Sequence, residues 1–470
     1  MLRLGSIAGG FEMKLLGALA AANAQVALSA LRISTGKKIN LPRDNPSHFV
    51  HLDSLQREQS AVQAAVARVN AAANIGSQLQ TNLAAVVDQL AEIRTLLLED
   101  ADQSLTAAER AANQLEIDAA LEQISTFAHT PIEGRNILDG GSNYRVTGQN
   151  SNQVKNAQVY SLGSTTSLSG TVTTAATKGS LTYTGVAGNV ISTATFTLTG
   201  KLGSATISVA ASDSLSSAAT QINNASYATG VTSSVVGDVL TFSTVDFGTS
   251  ATLAVNVTSG TFTVAGGNGD GTARGTNALA TLGGMAPSNV DGNQLTYARN
   301  GTHVQLELVA GYTGAVNTLT LSDSPTLKFA LGTGTQQTRL GVRGVLIETL
   351  GGNSGALSEL ATGGSLAGLS TNTAQAIRVV DEAAAQLTVL AGQVDGFGDI
   401  TVNSTAEFLS AWDENLTTGI SRANSVDEDA ENLNITRNQN LAANALASLA
   451  ILQQQQASVV YLVQRLAGLT

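Results

Sequence analysis

Two histidines three residues apart, His48 and His51, flanked by Asp44 and Asp53, have the spacing that would set metal ligands on one helical face. The chain has only four His, no Cys and no His-Glu-x-x-His, so the pair reads as ordinary solvated or packed histidine. Gly266-Gly267-Asn268-Gly269-Asp270-Gly271 has the composition of one turn of a calcium-binding nonapeptide repeat. Such repeats hold ions between stacked neighbours, and a single copy reads as a loop. Asp427, Glu428, Asp429 and Glu431 lie where a helix should begin; carboxylates there answer the positive end of the helix dipole and read as solvated. Triplets such as Asn224-Ala225-Ser226 and Asn300-Gly301-Thr302 arise by chance in a chain rich in Ser and Thr. No Ser/His/Asp set can be proposed from spacing, and no Gly-rich phosphate loop follows a strand. The expectation is a protein that is not an enzyme, with no catalytic, cofactor or metal site.

The composition points the same way. Lys and Arg number 24 against 35 Asp and Glu, a net charge of -11, with no basic block. That excludes a nucleic-acid or anionic-membrane partner, both of which need clustered positive charge. Absence of Cys excludes disulfides and thiolate metal sites. Aromatic residues are only 4% of the chain, so large anchors for a substrate pocket are scarce. No unbroken run of about eighteen apolar residues occurs, and no bilayer-spanning helix is expected. Met13 to Ala24 imitates a secretory signal ending in Ala22-Asn23-Ala24. However, the spacing Leu15, Leu19, Ala22, Val26, Ser29, Ile33 continues at four and three through that point, which predicts one uncut helix.

The elements that would position any site change character along the chain. Residues 12–140 and 370–470 are rich in Ala, Gln, Asn and Leu with apolar residues at threes and fours; residues 142–345 alternate Thr, Ser, Gly and Val. Val62, Val66, Val69, Ala73, Gly76, Leu79, Leu83, Val86, Leu90, Ile93 and Leu97 predict a long helix with one narrow seam and a slip at Gly76–Leu79. A second helix over 105–128 should be capped by Ser104 or Thr106, the latter with Glu109 in a capping box. Ile377, Val380, Ala384, Leu387, Ala391 and Val394 form a seam near the other end. Leu441, Ala445, Ser448, Leu452, Gln455, Val459, Leu462, Leu466 and Leu469 extend it almost to the last residue. Seams at both ends imply an α+β, multidomain chain folded back on itself, with terminal helices in a coiled-coil bundle and a β-rich insertion between them. Ala-rich seams bury little apolar surface, so the terminal pair should be marginal alone and gain order from neighbouring copies.

Leu31-Arg32-Ile33-Ser34-Thr35-Gly36-Lys37-Lys38-Ile39-Asn40, continuing to Arg43-Asp44-Asn45-Pro46, resembles the N-terminal signature of bacterial flagellins, the subunits of the flagellar filament. Gly134-Arg135-Asn136-Ile137-Leu138-Asp139-Gly140 and the Gln-rich end Ile451 to Leu469 are similar to further flagellin segments. The resemblance covers roughly 15–150 and 345–470. It departs at Leu41-Pro42, at Asn45 and in an extension Met1–Glu12. Inside the β region, strands over 194–199 and 205–210, a helix opening at Asp213 with Leu215, Ala219 and Ile222 on one face, and strands over 231–236 and 239–244 resemble the flagellar hook IN motif. Ile222-Asn223-Asn224-Ala225 stands at its namesake position. Further strands are expected over Val304–Val309 and Thr318–Leu321.

The resemblance implies five regions: 1–60, an innermost helix and spoke; 61–141, N-terminal outer-core helices; 142–345, β-rich outer domains with the hook-IN-like module at 190–258; 346–425, a C-terminal outer-core helix; and 426–470, a C-terminal innermost helix. It implies an extracellular filament built from copies of this chain. Hook-associated junction and cap proteins, an export chaperone and the type III export apparatus would be its partners. Arg32, Gly36, Lys37, Lys38, Arg43 and Asp44 would form the assembly spoke, and Leu441, Leu452, Val459, Leu462 and Leu466 the seam of the last helix. Aligned on the innate-immune receptor site of flagellins, the receptor-contacting Arg falls on Glu92, with the contacting Leu and Glu on Leu96 and Glu116. Two other functions are open: a hook–filament junction protein, and an adhesin or glycan-binding module displayed by the β region.

Overall fold

The computed structural model of the chain describes residues 2–101, 105–335, 337–369, 372–466 and 468. The chain separates into two compact units, Met1–Ala67 with Ala406–Thr470, and Arg68–Thr405. Its helices are α1 (Leu2–Thr35), α2 (Pro46–Ala101), α3 (Ala107–His129), α4 (Leu215–Asn224), α5 (Ser226–Thr229), α6 (Thr373–Gly396), α7 (Ser404–Asn424) and α8 (Glu428–Leu466). Phe397–Asn403 winds as a π-helix between α6 and α7. Terminal helices therefore flank a β-rich centre, as the composition shift requires.

In the first unit α1 passes unbroken through Ala22–Ala24 and packs along α8. Its predicted face is the sheltered one: Ala22 and Ser29 are buried and Leu15, Leu19, Val26 and Ile33 half-buried. Gly9–Thr35 is long and apolar enough to cross a membrane by length and composition. It holds no unbroken apolar run because Ala, Gly and Ser dilute the leucines without adding charge.

The seam of α2 is stricter than expected. From Val62 on, Val62, Ala65, Val69, Ala72, Gly76, Leu79, Leu83, Val86, Leu90, Ile93, Leu97 and Asp100 are buried, stepping three and four with no slip at Gly76, and Leu96 is buried beside them. Ala65 and Ala72 occupy the places the sequence reading gave to Val66 and Ala73. That regularity is the knobs-into-holes spacing of a coiled-coil face. Thr106 caps α3 with the reciprocal Glu109 bond, which satisfies two otherwise orphaned backbone donors. The alternative cap, Ser104, lies outside the described residues, as does Leu469.

The β region of the second unit is nested. A sheet ordered Arg145–Thr147, Gly314–Ser322, Thr166–Thr174, Leu279–Leu282 and a second ordered Asn289–Asp291, Gln294–Arg299, Thr302–Leu308, Val154–Ser161 share one core, which includes Val159, Leu168, Leu295, Leu306 and Leu319. Between Thr174 and Leu279 the chain leaves to form another core. There the sheet Thr272–Arg274, Thr252–Gly260, Ala194–Gly200, Ser204–Val209 and the sheet Ser180–Thr184, Val239–Thr244, Val231–Val236 enclose α4. Phe196, Phe242, Phe262 and Tyr183 cluster inside it, with Tyr183 and Phe262 stacked at 3.9 Å. The hook-IN-like strands form where expected, but α4 is capped by Ser214, whose side chain accepts from Ser217 N–H at 3.1 Å. Asp213 instead accepts from Ala210 N–H.

Candidate functional site

The spoke residues come together in the first unit where α1 ends. Gly36 holds φ +66°, a left-handed conformation that turns the chain out of the helix at little cost only for glycine. The next residues run antiparallel to the α7–α8 junction. Lys38 N–H donates to Asn424 C=O at 2.7 Å, Val426 N–H to Gly36 C=O at 3.2 Å, and Ile39 N–H to Asn424 Oδ1 at 2.9 Å. The two linkers thus satisfy each other's backbone groups.

Asp44 closes the following turn. Its Oδ2 accepts from Leu41 N–H at 2.9 Å and Asn40 N–H at 3.0 Å, and these bonds hold its carboxyl below the usual carboxylate range. Asn45 then caps α2, accepting from His48 N–H at 3.1 Å, with Pro46 in the first helical position where its missing N–H costs nothing. The departure from the flagellin signature at Asn45 therefore keeps the cap.

Beneath this turn lies a buried polar node. Glu431, 8% exposed, accepts from Ser29 Oγ at 2.5 Å and from Arg32 Nη1 at 3.0 Å. Ser29 foremost, with Arg32, lowers the Glu431 carboxyl below its ordinary value. The sequence reading placed Glu431 in a solvated acidic helix start, which the structure corrects. Glu431 is the first position of the α8 face that continues through Ile435, Asn438, Ala442, Ala445, Leu449 and Leu452, so the four-three rhythm read backward from Ala442 reaches it. Arg32 faces inward, whereas Lys37, Lys38 and Arg43 are exposed and form no ion pair among the described residues.

That α8 face keeps Ala445 and Leu452 of the predicted seam and takes Ala442, Leu449, Gln456 and Val463 where Leu441, Ser448, Gln455 and Leu462 were expected. Ala442 and Ala445 are buried, and Leu449, Leu452, Gln456 and Val463 half-buried, while Leu441, Val459, Leu462 and Leu466 are half or more exposed. Of the predicted seam, Ala445 is buried and Leu452 half-buried on this face.

In the second unit Glu92 and Glu116 are exposed but Leu96 is buried, so Leu96 cannot present its side chain as the receptor alignment expects. Its burial follows from its place beside seam residue Leu97. Arg94 Nε donates to Asp381 Oδ1 at 2.6 Å. His48 and His51 are exposed, and among the described residues no three potential metal ligands cluster. Asp270 is engaged within its own loop, accepting from Thr272 N–H at 2.9 Å.

The family model for the bacterial flagellin N-terminal helical region matches residues 11–143, and that for the bacterial flagellin C-terminal helical region matches 377–463. The flagellin hook IN motif matches 195–246. Polar flagellin F of Vibrio parahaemolyticus is 29% identical over 110 residues, which is 23% of this chain and 29% of that protein. The match therefore spans less than a third of that relative's length. Among solved structures, the flagellar cap protein FliD D2-D3 domains from Escherichia coli are 21% identical at a TM-score of 0.30, over 38% of this chain and 98% of that one. The flagellar junction protein FlgL from Legionella pneumophila is 12% identical at a TM-score of 0.26, over 81% of this chain and 99% of that one.

Proposed function

Because both terminal regions and the hook IN motif make this chain a member of the bacterial flagellin family, we infer that it is the structural subunit of a flagellar filament. Copies of the chain polymerise through the first unit. Lys37, Lys38 and Arg43 reach carboxylates on adjacent copies, and the outward apolar side chains of α8 meet neighbouring helices. The observation that carries this reading is the exposure of Leu441, Ile451, Val459, Leu462 and Leu466 on α8, with Phe11, Met13 and Leu16 on α1. Exposed apolar side chains gathered on two helices of a lone protein mark an interaction surface. Repeated heterologous contacts between identical copies that do not close into a ring give an open helical fibre.

On this reading the filament lies outside the cell. Junction and cap proteins bound its two ends, and a chaperone and the type III apparatus deliver the subunit. Electron microscopy of concentrated, seeded protein tests the proposal: helical fibres are expected. A monomer that stays unpolymerised under seeding overturns it, and a short oligomer at one copy number per filament end points to a junction protein.

A further inference from the structure

Within the second unit, a cleft of about 360 Å³ separates α6 from the sheet that contains Val154–Ser161 and Thr302–Leu308. Its walls are unusual for a helix packed on a sheet, where apolar residues normally fill the contact. Asn156, Gln158 and Tyr160 alternate along one strand, Gln305 and Glu307 along its neighbour, and Gln305 stands directly opposite Gln158. The other face of these strands supplies Val159, Val304 and Leu306 to the core, so pleat alternation puts amides, a phenol and a carboxylate into the cleft. Glu382, Gln386 and Gln393 face them from α6.

Several of these groups lack protein partners. Gln158 is 8% exposed, yet its amide nitrogen has one hydrogen bond, at 3.5 Å to Val159 C=O, and its oxygen has none among the described residues. Gln393 spends its nitrogen on Tyr160 C=O and Gly341 C=O, which leaves its oxygen without a donor among the described residues. Arg343 donates once, from Nη2 to Thr349 C=O at 3.1 Å. Gln305 and Tyr160 are tied to each other at 3.0 Å, which fixes the phenol ring in the wall. These oxygens and guanidinium N–H groups are not sealed from solvent; they line the cleft, where an entering group can meet them.

The geometry points to this cleft as a binding site for a neutral oligosaccharide. Vicinal hydroxyls each donate and accept, which matches interleaved amide oxygens and guanidinium N–H groups, and the Tyr160 ring supplies a flat apolar wall. Asp246 and Glu307 at the cleft are paired with Lys201 and Lys155, so with Glu382 and Arg343 the lining carries no excess of positive charge that would select an acidic sugar. The volume falls in the range of small-ligand sites, about 300–1,000 Å³.

The test uses the full chain as monomer on a glycan array that carries neutral and sialylated oligosaccharides, followed by titration calorimetry with the best neutral trisaccharide. The variants are Gln158→Leu and, on α6, Gln393→Ala, which also removes the bonds to Tyr160 C=O and Gly341 C=O. Each variant's far-UV dichroism and thermal melt serve as folding controls. The expected result is selective neutral-glycan binding that weakens about tenfold in each folded variant, the loss of one or two hydrogen bonds. No array binding, a preference for sialylated glycans, or binding unchanged by Gln393→Ala would each overturn the assignment and leave the cleft a water-filled contact.

Discussion

Replacing Glu431 by Ala removes the acceptor at the centre of the Ser29–Arg32–Glu431 node. Both lost bonds are charge-assisted, and the Glu431 side chain is 10% exposed against 23% for Arg32. A hydrogen bond to a buried charged group contributes about 1.5–3 kcal/mol, and the partly wet guanidinium recovers some of its loss from water. The net cost is therefore about 2 kcal/mol. If α1 and α8 order together on polymerisation, that cost raises the critical concentration by about thirtyfold. Sedimentation of seeded polymerisation at neutral pH reads it directly. Glu431→Gln keeps one acceptor and should lie between wild type and Glu431→Ala. The sign of the pH effect follows from the depressed carboxyl: its contribution is complete above the unfolded Glu value, about 4.3, and fades as pH falls through the lower folded value. The gap between wild type and Glu431→Gln should narrow in that acidic window alone. A critical concentration unchanged by Glu431→Ala refutes the coupling of this node to assembly.

Gly36→Ala adds a Cβ that meets nothing within 4 Å, so only the left-handed backbone resists it. The expected cost is about 1–2 kcal/mol, read as a rise in critical concentration of about five- to thirtyfold, with Gly36→Asn milder. Joint neutralisation in Lys37→Gln and Arg43→Gln should weaken filament formation and leave the monomer's thermal melt in place, since both side chains are exposed and unpaired among the described residues. Unchanged polymerisation would remove them from the assembly contacts. Phe196→Ala, fully buried and stacked at 4.6 Å on Phe262, should destabilise the inner β core by about 3–5 kcal/mol, visible in a denaturant melt of the full chain. Glu92→Arg should raise stimulation in an innate-immune reporter-cell assay over that of the wild-type monomer; equal responses would detach Glu92 from recognition.

Local rhythm made the terminal helices legible, and hydrophobicity misplaced some of their faces. In α2 the reading chose Val66 over Ala65 because Val is the more apolar; the seam follows geometry and takes Ala65 at 0% exposure. The same preference for large side chains selected Leu441 over Ala442. Caps were readable because Thr106 and Glu109 act across three residues. Nesting of the β cores was not, since strand Ala194–Gly200 pairs with Thr252–Gly260 across more than fifty residues and alternation alone names no partner. The polar cleft left no trace in the sequence at all: Gln158 and Gln393 are ordinary strand and helix residues until the fold sets them opposite one another.

The error in α8 itself bears on mechanism. A helix that offered Leu441, Val459, Leu462 and Leu466 to its own α1 would bury its best apolar surface within one chain and keep little for a neighbour. The observed face instead spends Ala442 and Ala445 on α1, with Glu431 and Ser29 adding a directional bond that Ala cannot supply. Further along, the same face half-buries the polar Gln456 where the sequence reading expected a seam continuing into Val459. Small residues give a weak pair because they remove little apolar area from water. Leu441, Ile451, Val459, Leu462 and Leu466 stay outside, where each one counts only when another copy arrives. Exchanging the two sets, with Ala442→Leu and Ala445→Leu against Leu441→Ala and Val459→Ala, should strengthen helicity in the monomer and lower its tendency to polymerise. If that variant polymerises as readily as wild type, the outward stripe is not the intermolecular surface.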